Sequence, residues 1–225
     1  MQRNAVVVGA TGMVGSLVWR LLADRRDLWQ SLILVTRRPL ENLPEGVENR
    51  VVDFQQLEEA LGELKADDLF VCLGTTIAKA GSQDAFRQVD CEYVLAAARG
   101  LMKNGLSHLL VITAMGSDEK SLFFYNRVKG EVERRLRDLN LPYLTILRPS
   151  LLLGERREQR FLEKLSGRVG QAMGPLFVGP LRRWAPVSAH KVAETMVAQA
   201  SRVATEGRSQ GCLVLNSEAI QQATA

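Results

Sequence analysis

Apolar positions along the 225-residue chain alternate between short β-branched runs and longer stretches of helical period, the pattern of a parallel sheet covered on both faces. Seven runs predict strands: Ala5–Val8, Leu32–Val35, Val51–Asp53, Leu69–Leu73, Leu109–Thr113, Thr145–Leu147 and Leu213–Leu215. Between them, Met13–Leu22, Gln55–Leu64, Gln83–Lys103, Leu122–Leu139 and His190–Arg202 repeat at helical spacing, with Ser82 placed to cap the third. Pro39–Asn49, with two prolines and a glycine, reads as a loop. The expected fold is α/β, a doubly wound, mostly parallel sheet of about seven strands.

Gly154–Pro186 differs in character, with five glycines, three prolines and six arginines (Arg156, Arg157, Arg160, Arg168, Arg182, Arg183). It breaks the alternation after the sixth strand. It is expected as a small substrate-side segment inserted within one domain spanning residues 1–225, closing over a ligand at the carboxyl ends of the strands. A solvated basic loop with no binding role is the other reading.

Composition narrows the class. At 46% hydrophobic and 24% charged, the chain suits a packed core rather than disorder. An excess of 29 Lys and Arg over 25 Asp and Glu, net +4, is too mild for a dedicated nucleic-acid binder, and the arginine segment lacks interleaved stacking aromatics. Three separated cysteines without a C-x-x-C pair argue against a disulfide framework and against a metal site. Ala5–Trp19 is uncharged, but its glycines and lack of a small-residue cleavage site do not fit a secretory signal, and no run reaches the ~18 apolar residues of a membrane span. The expectation is a cytoplasmic protein with no membrane partner.

The first strand runs into Gly9, Ala10, Thr11, Gly12, Met13, Val14 and Gly15, then an amphipathic helix. In such a turn the first glycine permits the tight bend, the second lets backbone approach a pyrophosphate, and the third packs helix on strand, while the helix amino terminus offers N–H groups to phosphate. This predicts dinucleotide binding through Gly9, Thr11, Gly12, Met13, Val14 and Gly15; an ordinary helix-entry turn is the alternative. The second strand ends Thr36-Arg37-Arg38, with guanidiniums where an NAD site would place a carboxylate for the ribose 2′-hydroxyl. Bidentate Arg–phosphate contact then favours NADP(H) over NAD(H), with Arg37 ahead of Arg38. Asp53 and Phe54, and Leu73, Gly74 and Thr75, end the next strands at the cofactor edge; Asp53 either accepts from the adenine amino group or caps the helix from Gln55.

Tyr125 and Lys129, four residues apart, share one helical face. In a carbonyl reductase this lets the ammonium lower the phenol pKa from about 10, so that the tyrosine exchanges a proton with substrate near neutral pH. Thr113, twelve residues earlier, is expected to hold the substrate oxygen, with Ser117 the competing hydroxyl. His108 reads as a surface or capping residue and His190 could face substrate; neither is assigned catalysis. Phe123, Phe124 and Trp184 either pack a core or dimer contact or line an apolar substrate pocket.

On the Gly9–Gly15 turn, C-L-G-T-T (Cys72–Thr76), V-D-x-x-Y-V-L (Val89–Leu95), Y-N-R-V-K-G-E-V-E (Tyr125–Glu133) and L-R-P-S-L-L-L-G (Leu147–Gly154), nearly the whole chain resembles the atypical short-chain dehydrogenase/reductase superfamily, and within it the oxidoreductase-like Tat-interacting protein family. The resemblance implies a Rossmann fold, Tyr125 as proton donor, Lys129 on the nicotinamide ribose hydroxyls, Thr113 orienting the carbonyl, Arg148 and Pro149 bordering the nicotinamide end, and a homodimer through the two long helices. Asp90 stands where many relatives place Asn, which is unsuited to an Asn-mediated proton relay, and Thr113 replaces the usual serine. The short substrate segment argues against a sugar-nucleotide substrate. The expected function is NADPH-dependent reduction of a small, fairly apolar carbonyl or enone compound; the rival is an NADP(H)-binding redox-sensing regulatory protein without significant turnover. Tyr125 and Lys129 favour the enzyme, Asp90 the sensor.

Overall fold

The computed structural model describes residues 2–153, 185–206 and 210–223. Its strands are β1 (Arg3–Val8), β2 (Trp29–Thr36), β3 (Val47–Val51), β4 (Asp68–Val71), β5 (His108–Ile112), β6 (Tyr143–Arg148), a two-residue pair β7 (Leu152–Leu153) and β8 (Val187–Ser188), and β9 (Gly211–Asn216). Seven of them form one parallel sheet in the order β3-β2-β1-β4-β5-β6-β9. Helices α1 (Gly15–Ala23), α2 (Leu57–Gly62), α3 (Ile77–Ala80), α4 (Gln83–Arg87), α5 (Tyr93–Met102), α6 (Phe124–Arg137), α7 (Ala189–Glu206) and α8 (Ser217–Gln222) connect and flank it.

Alternation along the strands assigns the two faces. Val6 and Val8 point into a layer formed with α2, α5 and α6, while Val7 points the other way, toward α1 and α7. Because both faces are covered, the central strands read as continuous apolar runs. Truncating a fully buried member such as Leu34 to Ala would cost roughly 2–5 kcal/mol.

Two expectations are corrected here. β3 occupies Val47–Val51 rather than Val51–Asp53, so Asp53 lies past its end. As an edge strand it carries the polar run Glu48-Asn49-Arg50, which has no apolar signature. Its place is set by pairing with β2 and by the Asn49 amide, which donates to Leu34 O at 2.9 Å and Thr36 Oγ1 at 2.8 Å. His108, expected at the surface, is fully buried at the start of β5. One ring nitrogen meets Thr145 Oγ1 at 2.9 Å and the other faces Asp68 at 3.7 Å. Burial, and behind it the charge of Arg3, push its pKa down to about 3, so the ring is neutral. Asp68 is already engaged by Arg3 through Nε and Nη2, each at 2.7 Å, and by the Trp29 indole N–H at 2.8 Å.

The long helix expected over Gln83–Lys103 runs from Gln83 to Met102, capped by Ser82 Oγ accepting from Ala85 N at 3.1 Å, but with a π turn at Gln88–Glu92. The segment Gly154–Trp184, with its six arginines and Trp184, lies outside the described residues. At β1 the strand order reverses, β2 leaving on one side and β4 on the other, which opens a crevice above their carboxyl ends.

Candidate cofactor site

A cavity of ≈ 490 Å³ fills that crevice. Its floor is the turn after β1. Gly9 holds a φ of +91°, and a Cβ on it would lie 2.7 Å from the Cys72 carbonyl; a Cβ on Gly15 would lie 2.2 Å from the Gly9 carbonyl oxygen. Only glycine therefore lets α1 start this close to the strand. Gly9, Thr11 and Gly12 line the cavity from below.

The walls come from the neighbouring strand ends. Thr36, Arg37 and Phe54 stand on one side, and Cys72, Leu73, Gly74, Thr75 and Lys79 on the other, with Val89 and Tyr93 beyond. Phe54 and Tyr93 meet edge to face at 5.5 Å, and the Arg37 guanidinium lies 5.9 Å from the Phe54 ring centroid. Lys79 sits on α3, whose start is capped by Thr76 Oγ1 accepting from Lys79 N at 3.2 Å. Among the described lining residues two are cationic, Arg37 and Lys79, and none is acidic. Neither cation has an ion-pair partner among the described residues. Burial pushes the Cys72 thiol up to about 12, which removes it as a nucleophile at neutral pH.

Other expected cofactor residues fall elsewhere. Met13 is 52% exposed, Val14 packs in the core, and Gly15 serves the helix–strand contact. Arg38 is exposed beside the cavity rather than in its lining. Asp53 caps the turn that follows, accepting from Gln55 N at 3.0 Å, and lines an adjoining recess with Arg37, Phe54 and Tyr93.

One face of α6 carries Tyr125, Lys129, Glu133 and Arg137 at spacings of four. Tyr125 is 37% exposed and packs at 5.5 Å on Phe86, next to the cavity residue Ala85. Lys129 is buried, with its Nζ 2.7 Å from Asp90 Oδ1; the other Asp90 oxygen accepts from Thr75 N at 2.9 Å. The tyrosine and lysine thus stand one residue behind the cavity wall.

Thr113 is corrected. Its hydroxyl is buried and donates to Glu133 Oε1 at 2.7 Å, so it is not presented to a ligand. Ser117 fares no better, its Oγ donating to Ala114 O at 2.6 Å. Arg148 is corrected as well. Its guanidinium binds Glu133 in a fork, at 2.9 and 2.5 Å, which holds its pKa above the ordinary arginine value, and it lines a separate pocket with Ser117 and Asp118. The Pro149 carbonyl accepts from Met115 N at 2.9 Å, a loop contact. Of the remaining expected groups, Phe123 is largely exposed, Phe124 is partly buried against the core residue Phe86, and exposed His190 has its Nδ1 3.3 Å from Glu194. Sequence reasoning missed Glu133 and Lys79. The first was visible as the next step of the Tyr125–Lys129 stripe, whereas α3 is too short to show a period.

Residues 9–202 match the NAD(P)H-binding family. Protein HTATIP2 of Rattus norvegicus is 33% identical over 222 residues, covering 96% of this chain and 88% of that protein. Protein FMP52-1, mitochondrial, of Scheffersomyces stipitis is 34% identical over 164 residues, 71% of each chain. Several FMP52 relatives carry the mitochondrial designation, which overturns the expectation of a cytoplasmic protein. In structure, a short-chain dehydrogenase family protein of Francisella tularensis superposes with a TM-score of 0.69 at 14% identity, over 99% of this chain and 100% of that one. A short-chain dehydrogenase of Burkholderia cenocepacia in complex with NADP gives 0.66 at 14% identity, over 98% and 92%. The chain shares the fold of these dehydrogenases, and it belongs to the NAD(P)H-binding family, among relatives of the protein HTATIP2.

Proposed function

We propose that the cavity holds NADP(H) and that the protein reduces a small, fairly apolar carbonyl or enone compound. The observation that carries the reading is a cavity at the β1/β4 reversal, floored by the glycine turn, with two cations and no carboxylate in its described lining. The residues fit the group. Gly9 and Gly12 give the diphosphate a backbone floor, Arg37 answers the 2′-phosphate, and the Phe54–Tyr93 wall suits an adenine. Lys79, across β1 from Arg37, answers the diphosphate. When bound, the nicotinamide supplies hydride to the carbonyl carbon. Tyr125 gives its phenolic proton to the carbonyl oxygen as charge develops there, and Lys129 stands behind it on the same helical face. With Thr113 committed to Glu133, Tyr125 carries the substrate oxygen without a hydroxyl from β5. Tyr125→Phe is expected to abolish NADPH consumption with a panel of aldehydes, ketones and quinones while leaving NADPH affinity within about twofold; retained turnover contradicts the assignment.

A second reading is a cofactor-sensing regulator. The Thr113–Glu133 bond favours it, because the second substrate-orienting hydroxyl of a reductase is spent inside the protein. Tight NADPH binding with persistent inactivity across the same panel supports that reading.

A further inference from the structure

The run Ser121-Leu122-Phe123-Phe124-Tyr125 carries no charge and leads directly into the proposed proton donor. Leu122 is 93% exposed and Phe123 73%, and with Leu151 at 61% they are the most exposed large apolar side chains among the described residues. All three stand at the carboxyl end of the sheet, Leu122 and Phe123 in the connection from β5 to α6 and Leu151 just past β6. β5 and β6 pair, and Met115 N donates to Pro149 O at 2.9 Å, so the two connections leave the sheet side by side.

A single exposed leucine needs no explanation, but a contiguous apolar patch beside a site does. This one is pinned. Arg127 Nη1 donates to Ser121 O at 3.1 Å and to Leu122 O at 2.9 Å, Phe123 N donates to Ser121 Oγ at 3.2 Å, and Ser121 N donates to Asp118 O at 3.0 Å. The flanking Glu119 is taken up by Arg134 at 2.7 Å. The backbone is therefore held while two large apolar side chains stay in water, an arrangement that adds nothing to the core. On its inner side the Tyr125 ring is closed by Phe86, which is fully buried and packs on Phe124 as well. The open side adjoins Phe123 and Leu122, whose Cα atoms lie two and three residues away, within about 11 Å by chain length.

We propose that Leu122 and Phe123 select the substrate, an aldehyde with an unbranched, uncharged hydrocarbon tail, whose carbonyl meets Tyr125 while the tail lies along these two side chains. The inference rests on Tyr125 as the group that meets the carbonyl. The reaction is the one already proposed: hydride from the nicotinamide forms the new C–H bond as the C=O π bond breaks, the Tyr125 proton forms the O–H bond, and the aldehyde leaves as a primary alcohol. The cofactor leaves oxidised, and solvent returns a proton to the phenolate. A fully buried methylene tightens binding about fourfold, and one covered on a single side about twofold.

Butanamide, hexanamide and octanamide keep the carbonyl and are not reduced by NADPH, so calorimetric titration of the NADPH-saturated chain reads the tail without turnover. The wild type is expected to bind octanamide about 15-fold more tightly than butanamide, and kcat/KM for butanal, hexanal and octanal to rise in parallel. The double variant Leu122→Ser, Phe123→Ser alters only exposed side chains, and it is expected to flatten both series to within about threefold while NADPH affinity stays within about twofold. Tyr125→Phe is expected to weaken all three amides by one common factor and keep the dependence on length. No dependence on length in the wild type, or one that survives in the double variant, overturns the inference. It is also overturned if the wild type lacks that dependence and instead forms a dimer, or binds phosphatidylcholine–phosphatidylglycerol vesicles, in a way the double variant abolishes. Amide affinity unchanged in Tyr125→Phe contradicts the reading of Tyr125 itself.

Discussion

At the amino end of the sheet Arg3 and Trp29 bond both oxygens of buried Asp68, with the neutral His108 ring beside it, whereas at the carboxyl end Arg37 and Lys79 face a cavity whose described lining has no counter-charge. β4 spans both environments. It begins at Asp68, buried and bonded on both oxygens, and leads into Leu73, Gly74 and Thr75, which line the cavity. Polar groups satisfied by the chain contribute to stability and to a unique register; polar groups left facing a cavity contribute to binding. The contrast separates the two kinds of function residue by residue.

The largest effect should come from the closed end. Asp68→Ala leaves Arg3 and the Trp29 N–H without their acceptor and should lower unfolding free energy by roughly 3–5 kcal/mol in urea titration. NADPH affinity of the folded fraction should stay unchanged; a parallel loss of affinity would break the division. At the open end Arg37→Ala should reverse the pattern. NADPH binding weakens on the order of 10- to 100-fold by calorimetry, NADH binding changes little, and stability moves by about 0.5 kcal/mol or less.

His108 sharpens the same contrast through pH. Its folded pKa, pushed down to about 3, lies below the unfolded value of about 6.5. Between those values the unfolded chain binds a proton that the folded chain refuses. Stability therefore falls as pH drops through that window, by up to about 1.4 kcal/mol per pH unit from this group, and none of this loss is present above pH ~6.5. His108→Gln should flatten the acid limb there; an unchanged slope would show the ring is not held neutral. The smallest effect is Lys79→Gln, which should weaken NADPH and NADH alike by about fivefold, the scale of an exposed ionic contact.

Much of the frame was legible in the chain. Six of the seven expected runs fall on strands of the sheet, and the glycine turn falls where the strand order reverses, because burial on both sides and a backbone collision at Gly9 leave few alternatives. β3 was misplaced because an edge strand need not be apolar. His108 was misread because a buried histidine differs from a surface one only in its partners, and Thr145 and Asp68 are 37 and 40 residues away in sequence. The site shows the same limit. Arg37 and Thr75 follow from position after a strand, but the partners of Thr113 and Arg148 depend on Glu133, which α6 brings in from a different part of the chain.

The central claim is that the open end of the sheet is an NADP(H) site read by Arg37. Equilibrium titration of the wild-type protein and of Arg37→Asp with NADPH and NADH tests it most directly. The account predicts tighter binding of NADPH than of NADH by the wild type, with that preference abolished or inverted in Arg37→Asp; equal affinities that the substitution leaves unchanged would contradict it.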